Sequence, residues 1–508
     1  MNNHLRHVMV ALLGCFVLLF LQLNRVQVFQ AEALRENPAN TRTLQQDFDQ
    51  QRGVIRTSDG VVVALSEQAA PGGPFNFQRT YPHGDLYAHS VGFIAFTVGG
   101  QGVERAYNDE ILGRTAEQQL ADLASILDPD SSQAGALTLT IDHELQQVAK
   151  AQLGEREGSV VAIDPRTGAI RALWSYPSFD PNLVANNDSG TANAAYVDLL
   201  EAEGNPLRAR AYRDIEFPGS TFKVVTAGAA LETGAATLTE PVFEATTEYT
   251  APLTSRPITN FGGRACGGDL VEILVQSCNA PFAELAAEVM GPFVLTRQAV
   301  DGAGFNTELP LDIPGSVPSV FPDDYGALVQ NPSDAIPAGV YENTPLLAQT
   351  AIGQNEVQAS PLHMALIISG IANDGLIPTP HVVAEVADAN GRVVDEISPG
   401  GWRRSMEVGN AEILQEALIQ AGLRGTGTNA AVDGLVVGVK TGTAQLGTDP
   451  PASNAWIIGF AGREQGNYEL AVAVLVEGSA GNGDQTGGAV AGPIAREIFS
   501  TWFANETG

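Results

Sequence analysis

Ser220 and Lys223 stand three residues apart in the stretch EFPGSTFKVV, residues 216–225. On a helix, side chains at positions i and i+3 share a face, so these two can touch. A serine hydroxyl is a poor nucleophile until a neighbouring base takes its proton, and burial can lower the pKa of a lysine enough to make it that base. The pair predicts a nucleophilic serine with a lysine base; the alternative is a helix-capping serine beside a solvated lysine.

Lysine is rare in this chain. Lys150, Lys223 and Lys440 are the only lysines among 27 Lys and Arg residues. Arginine keeps its proton in proteins, whereas lysine can be tuned to act as a base. The two lysines that stand within Ser/Thr/Gly motifs are therefore candidates for chemistry. A compositional drift toward arginine explains why lysines are few but not where these two stand.

A second segment, Ser277-Cys278-Asn279, carries a hydroxyl and an amide two residues apart. If the segment is a loop, both side chains can face one cleft. The serine can then relay a proton between the lysine and a leaving amine, and the asparagine can hold a substrate amide.

The third segment, VKTGTAQ, places Lys440, Thr441, Gly442 and Thr443 on a predicted strand. A glycine in a strand allows a ligand to approach the backbone closely. The threonine hydroxyls and the lysine charge suit a substrate carboxylate. The backbone N–H groups of Thr443 and Ser220 are the expected oxyanion hole. The alternative is an edge strand with a solvated lysine.

The surrounding pattern predicts the elements that position these motifs. Residues 218–233 are apolar nearly all round, which predicts a buried helix. ALTLTI predicts a strand, DHELQQVAKAQLG predicts a helix capped by Asp142, and DPRTG between two apolar runs predicts a strand hairpin. Three late strands and a closing helix complete an α+β domain over residues 136–508, with one sheet and helices on its faces.

The N-terminal part has a different pattern. The apolar run within residues 8–28 predicts a transmembrane anchor after a short tail, residues 1–7. A cleaved signal peptide is the alternative, because AEA at residues 31–33 has the A-x-A form. Residues 29–135, with short apolar pieces and a hairpin signal at Asp59-Gly60, predict a small, strand-rich, irregular domain.

Composition and residue spacing argue against nucleic-acid binding and against a metal site. A formal net charge of −31 disfavours nucleic acid, because nucleic-acid binding requires a basic surface. No CxxC or His-rich spacing suggests a metal, and we expect neither a metal nor a cofactor. Cys266 and Cys278 can pair in an oxidising compartment or remain small buried residues in a reducing one.

In this order the three motifs resemble those of the penicilloyl-serine transferases, which include penicillin-binding proteins and serine β-lactamases. The chain resembles class B penicillin-binding proteins, most closely the penicillin-binding protein A group, in stretches such as RGVIRTSDGVVVAL (52–65), GVERAYNDEILG (102–113) and IGQNEVQASPLHMALIISGIANDG (352–375). The resemblance implies the penicillin-binding transpeptidase fold, with a central antiparallel sheet flanked by helices and an all-helical part. It implies as well that residues 29–135 form a non-catalytic domain of the dimerisation or pedestal kind and that residues 1–7 are a short cytoplasmic tail.

The resemblance also implies a peptidoglycan D,D-transpeptidase. Ser220 would be acylated by a stem peptide with loss of the terminal D-Ala, and Lys223 would be the base. An acceptor amine would then form the crosslink, and β-lactams would trap the same serine. The second motif would line the cleft and the third would bind the substrate carboxylate through these residues: Ser277 and Asn279, then Lys440, Thr441, Gly442 and Thr443.

The expected setting is the cell membrane, spanned once by the N-terminal helix, with the catalytic domain outside the cytoplasm and a glycan polymerase or cell-division protein as partner. A disulfide between Cys266 and Cys278 would close a short loop beside the site, with two free thiols as the alternative.

Three other functions remain open. A β-lactamase would use Glu308 of the segment ELPLD to activate water. A D,D-carboxypeptidase would share all three motifs, because the motifs do not distinguish water from amine acceptors. The non-enzymatic alternative is a catalytically silent cell-division scaffold, and the filled catalytic positions argue against it.

Overall fold

The computed structural model describes residues 2–25, 41–121, 134–330, 339–483 and 485–505 of the chain. The strands are β1 Ile55–Arg56, β2 Val62–Gln68, β3 Phe77–Thr80, β4 Ile94–Ala95, β5 Gly99–Gly100, β6 Ala136–Leu139, β7 Gly158–Ile163, β8 Ile170–Tyr176, β9 Phe243–Thr246, β10 Glu248–Tyr249, β11 Ile258–Thr259, β12 Cys266–Gly268, β13 Leu376–Pro378, β14 Val383–Ala387, β15 Val393–Glu396, β16 Gly401–Arg404, β17 Val436–Gln445, β18 Ser453–Gly462 and β19 Leu470–Val476.

The α-helices are α1 Asn2–Asn24, α2 Thr41–Asp49, α3 Gly102–Ala106, α4 Asn108–Ile111, α5 Ala116–Ala121, α6 His143–Leu153, α7 Pro181–Val184, α8 Ser189–Glu201, α9 Arg210–Arg213, α10 Lys223–Thr233, α11 Leu270–Val275, α12 Ala280–Glu284, α13 Gly291–Arg297, α14 Thr344–Thr350, α15 Pro361–Ala372, α16 Val408–Arg424 and α17 Gly492–Asn505.

The sheet that carries the third motif has five antiparallel strands in the order β17-β18-β19-β7-β8. Strands β18, β19 and β7 are buried along their whole length, which explains their nearly continuous apolar sequences. The fully buried helix α15 packs on β19, β7 and β18, while α6 and α17 pack on β8 and β19. These contacts confirm the predicted late strands, closing helix and α+β arrangement.

Strand β17 is the edge of this sheet. Its pairing with β18 is regular throughout, with Lys440 opposite Ile458 and Gly442 opposite Trp456. An edge strand leaves one row of backbone N–H and C=O groups without strand partners. The third motif therefore offers free backbone groups on its outer side, as an oxyanion hole requires.

A second sheet is shared between distant parts of the chain. Its six strands have the order β15-β14-β6-β1-β2-β3, so residues 383–396 return to pair with strands from the N-terminal region. The turn at Asp59-Gly60 joins β1 to β2 as the hairpin signal predicted. The boundary expected between residues 135 and 136 lies directly before β6, inside this shared sheet.

The local signals around the first catalytic-domain helix are confirmed. Asp142 caps α6, because its side chain accepts a hydrogen bond from the N–H of Leu145 at 2.8 Å. The helix ends at Gly154, which has a positive φ of 62°. Strands β7 and β8 then form the hairpin that DPRTG predicted.

The transmembrane anchor predicted for residues 8–28 is not confirmed. Helix α1 exposes large apolar side chains between Val8 and Leu21. Within the described part of the chain, however, no helix is both long enough and apolar enough to cross a membrane. Residues 26–40, which hold the end of the predicted anchor and the AEA segment, lie outside the described residues.

Candidate active site

Ser220 lies in a short 3-10 turn, Gly219–Phe222, that leads directly into α10. The helix predicted over residues 218–233 is thus a 3-10 turn followed by a buried α-helix. Gly219 has a φ of +53°, and a Cβ added there would lie 2.8 Å from the carbonyl oxygen of Thr443. Glycine therefore lets the turn that carries the nucleophile lie against β17.

Lys223 begins α10, and its side chain is fully buried. Its Nζ donates hydrogen bonds to the carbonyl O of Ser277 at 2.8 Å and to Oδ1 of Asn279 at 2.6 Å. Burial, and next the charge of Lys440, lower the pKa of Lys223 well below its usual value, which favours the neutral amine. Within the described part of the chain, Ser220 Oγ and Lys223 Nζ are not hydrogen-bonded to each other. Catalytic hydrogen bonds of this kind often form only when substrate binds.

Ser277 connects the two motif lysines. It lies between α11 and α12 in the left-handed region, with a φ of +61°, which is unusual for a residue other than glycine. Its carbonyl accepts from Lys223, while its Oγ lies 2.6 Å from Lys440 Nζ. A strained residue held by surrounding contacts is common at functional sites.

Asn260 holds the second motif in place through hydrogen bonds, and no sequence pattern predicted this role. Its Oδ1 accepts hydrogen bonds from the N–H groups of Asn279 at 2.8 Å and Ala280 at 2.9 Å. A disulfide joins Cys266 to Cys278, with Cα atoms 5.6 Å apart. The loop that holds Ser277 and Asn279 is therefore tied to a neighbouring segment by side-chain hydrogen bonds and one covalent bond.

Lys440 lies on the edge strand but is not solvated. Its side chain is fully buried, and Nζ donates to Ser277 Oγ and, at 3.0 Å, to the carbonyl of Thr441. Burial lowers the pKa of Lys440 to about 7. The amine therefore contacts one hydroxyl and one backbone carbonyl and is not an exposed charge.

Gly442 allows two parts of the protein to pack closely together. A Cβ there would lie 2.8 Å from the carbonyl O of Pro218 and 2.9 Å from Cγ2 of Thr221, so glycine lets β17 lie against the nucleophile turn. We expected this glycine to leave space for a substrate, but the nucleophile turn occupies the space beside it. The hydroxyl of Thr441 lies 2.6 Å from that of Thr426, a residue that the sequence patterns missed.

The three motifs line one cleft of about 950 Å³. Ser220, Ser277, Asn279, Thr441, Gly442 and Thr443 all contribute to its walls. No Asp or Glu lines it among the described residues, and within the same residues no group of His, Cys, Asp and Glu side chains is arranged to hold a metal.

The carboxylate expected for a β-lactamase is elsewhere. Glu308 is exposed and is not among the described residues that line the cleft. Asp312, at the end of the same segment, is partly buried and accepts hydrogen bonds from the N–H groups of Val382 and Val383 at 2.9 Å. This segment therefore holds β14 in place rather than activating water.

Two family models match the chain. Residues 158–500 match the penicillin binding protein transpeptidase domain, and residues 52–137 match the penicillin binding protein A dimerisation domain. The chain belongs to the penicillin-binding protein family. The transpeptidase match, residues 158–500, contains all three motifs that line the cleft.

Known penicillin-binding proteins resemble the chain over nearly its whole length. Peptidoglycan D,D-transpeptidase PbpA of Mycolicibacterium smegmatis is 34% identical over 98% of this chain and 99% of the relative. The protein of the same name from Mycobacterium tuberculosis is 33% identical over the full length of both. The solved ceftriaxone acyl-enzyme complex of penicillin-binding protein A from M. tuberculosis aligns with a TM-score of 0.79 and 31% identity, covering 90% of this chain and 99% of that one.

Proposed function

We propose that this penicillin-binding protein is a peptidoglycan D,D-transpeptidase with Ser220 as its nucleophile. Its substrate is a stem peptide ending in D-Ala-D-Ala, and its inhibitors are β-lactams. The function is supported by the whole-length similarity to D,D-transpeptidases and by acyl-enzyme complexes of a homologue. The observation that carries the assignment of residues is the cleft itself: Ser220 lines it beside two buried lysines, and among the described residues no carboxylate does.

In the first half of the reaction, Ser220 Oγ attacks the carbonyl carbon between the two D-Ala residues. Neutral Lys223 takes the hydroxyl proton, since burial keeps its pKa low. Charge develops on the carbonyl oxygen, and the backbone N–H groups of Ser220 and Thr443 stabilise it. The C–N bond then breaks and leaves an ester on the serine.

The leaving D-Ala amine needs a proton as the C–N bond breaks. Ser277 is placed to supply it, because its backbone accepts from Lys223 and its hydroxyl accepts from Lys440. The hydroxyl gives its proton to the amine and regains one from protonated Lys440, so the proton held by Lys223 balances the one lost by Lys440. In the second half, an acceptor amine attacks the ester and its proton passes through Ser277 to Lys440. Lys223 returns its proton to Ser220 Oγ as the ester bond breaks.

The terminal carboxylate of the donor lies at the third motif in this proposal. The hydroxyls of Thr441 and Thr443 are cleft-lining donors, and Thr426 orients the first of them. Lys440 contributes through Ser277 Oγ and the Thr441 carbonyl.

The proposal is tested by mixing the full chain with benzylpenicillin and following intact mass over time. We expect a long-lived penicilloyl adduct that is absent in Ser220→Ala and present in the control Ser255→Ala, whose serine is exposed and outside the cleft. Rapid turnover of the antibiotic would favour a β-lactamase. A folded protein without adduct would favour the scaffold. With a D-Ala-D-Ala peptide, hydrolysis that added glycine does not divert would favour a carboxypeptidase.

We also propose that the catalytic region lies outside the cytoplasmic membrane, attached there through α1, with a glycan polymerase or cell-division protein as partner. Two observations support this location: the disulfide, which persists in oxidising compartments, and the exposed apolar side chains of α1. Labelling of intact cells with a membrane-impermeant fluorescent penicillin checks it. We expect the full chain in the membrane fraction to be labelled, and an unlabelled cytosolic protein would contradict the proposal.

A further inference from the structure

The charge of the cleft differs from that of the whole chain. The sequence contains 58 acidic and 27 basic residues. Among the described residues no Asp or Glu lines the cleft, whereas Arg264 and Arg424 do. A concave surface that lacks carboxylates and presents guanidinium groups favours an anionic ligand.

The two arginines are not equivalent. Arg424 forms an ion pair with Glu272, with Nη2 and Oε2 2.9 Å apart, so its charge is already compensated. The side chain of Arg264 is exposed on the cleft wall, and its guanidinium has no hydrogen bond or ion pair within the described part of the chain. Arg264 is therefore the cation that a ligand would meet.

The backbone at Arg264 is fixed although the side chain is free. Its carbonyl O accepts a hydrogen bond from Asn260 Nδ2 at 3.0 Å, and Asn260 Oδ1 accepts from the N–H of Asn279 at 2.8 Å. The disulfide described above follows two residues later. We call residues 257–265 the rim segment. Because the hydrogen bonds of Asn260 attach it to the second motif, Arg264 has a defined position beside the cleft.

We propose that Arg264 binds a free carboxylate of the donor stem peptide, at a position other than its D-Ala-D-Ala end. The inference rests on the proposed function and adds the chemical class of the substrate: a donor whose side carboxylate is free rather than amidated. The planar guanidinium matches a carboxylate with two parallel hydrogen bonds. Phe261, on the same rim segment and 62% exposed, offers an apolar face to the aliphatic part of the peptide.

Two synthetic pentapeptides test this site. Both end in D-Ala-D-Ala, and they differ only in glutamate or glutamine at the second position. Release of D-Ala by the full chain, with glycine as acceptor, gives kcat/KM for each. We expect the wild type to prefer the glutamate peptide by about fivefold, and the preference to shrink at about 0.5 M salt.

Arg264→Gln should abolish this preference, and Arg264→Lys should retain part of it. Arg256→Gln is the matched control, because Arg256 is exposed nearby but is not among the residues that line the cleft. Each variant is also acylated with benzylpenicillin as a check on the cleft, and Arg256→Gln should leave that rate unchanged.

Three results would overturn the subsite: no preference in the wild type, a preference that survives Arg264→Gln, or an equal loss with both peptides. The last result would mean that Arg264 only supports the loop. Failure of every protein to react with benzylpenicillin would instead overturn the proposed function, so the two failures are distinguishable.

Discussion

Two regions of the molecule bury ionisable side chains completely, but only one of them supplies the buried charge with counterions. Beside the shared sheet, Glu104 is fully buried with Arg52 at 2.9 Å and Arg79 at 2.6 Å. In the cleft, Lys223 and Lys440 are equally buried, but the atoms that accept their hydrogen bonds are neutral oxygens. One region compensates its buried charge, and the other does not.

The ionisation of these groups follows from that difference. Burial by itself would raise the pKa of Glu104, but Arg79 and Arg52 outweigh it and hold that pKa below its usual value. Burial of Lys223 and Lys440 has no such opposition, so their pKa values fall, that of Lys440 to about 7. A buried ion with its counterions holds the fold, whereas a buried amine without one is poised to take a proton.

Removal of the buried amine that has no counterion should have the largest effect. Lys223→Gln deletes the base without adding a charge, and we expect the rate constant for acylation by benzylpenicillin to fall by about 10³-fold. Lys150→Gln is the control, since that lysine pairs with Asp85 and is not among the residues that line the cleft. An acylation rate close to that of the wild type would contradict the role of Lys223.

The compensated region should respond in stability instead of rate. Glu104→Gln leaves Arg52 and Arg79 buried without a counterion, so the free energy of unfolding should fall by about 3–5 kcal/mol in urea denaturation. The acylation rate per folded molecule should not change. Glu117→Gln, at an exposed position, is the matched control. A slower acylation rate with unchanged stability would reverse the roles assigned to the two regions.

Gly442→Ala tests whether the amines need the close contact between β17 and the nucleophile turn. The added Cβ would lie 2.8 Å from the carbonyl O of Pro218 and would push the strand away. We expect the acylation rate to fall by about 10²-fold, because small displacements of reacting groups are costly. Gly409→Ala adds a methyl group in open space and should have no effect on the rate. Equal rates in the two variants would show that the contact does not matter.

Glu477 is an intermediate case. Arg210 Nη1 lies 3.1 Å away, yet burial dominates and raises the pKa of Glu477 from 4.5 to about 7. The folded protein therefore keeps a proton that the unfolded chain releases, and this stabilisation is full below about pH 4.5 and lost as the pH rises through about 7. Glu477→Gln should gain at most about 3 kcal/mol over the wild type above that range.

The gain from Glu477→Gln should shrink toward pH 5, which urea denaturation at about pH 5 and about pH 8 would measure. A difference between the two proteins that does not change with pH would show that Arg210 compensates Glu477 fully. Glu477 would then be a buried charge with a sufficient counterion, like Glu104.

Much of the fold was predictable because its signals are local. The all-round apolar pattern of residues 218–233 predicted a buried helix, and Asp142 and DPRTG predicted a cap and a hairpin. The return of residues 383–396 to the N-terminal sheet was not predictable, because pairing between strands so distant in sequence leaves no local pattern.

The candidate site also combines features that the sequence predicted with features that it did not. The residue types and order of the three motifs predicted that Ser220, Ser277 and Thr443 meet in one cleft. The burial of Lys440 could not be predicted, because an edge strand usually exposes its polar side chains and only tertiary packing encloses this one. Asn260 gave no signal, since an asparagine 19 residues before its partner matches no pattern.

The two buried lysines beside the cleft, Lys223 and Lys440, are amines of lowered pKa, and their titration can be measured directly. Because the chain has only three lysines, full-length protein labelled with ¹³C at lysine Cε gives three signals that report ionisation, assigned with Lys150→Gln, Lys223→Gln and Lys440→Gln. We expect the Lys223 signal to titrate well below the usual lysine pKa of about 10.4, and that of Lys440 near pH 7. Titration of both signals near pH 10.4 would contradict the claim.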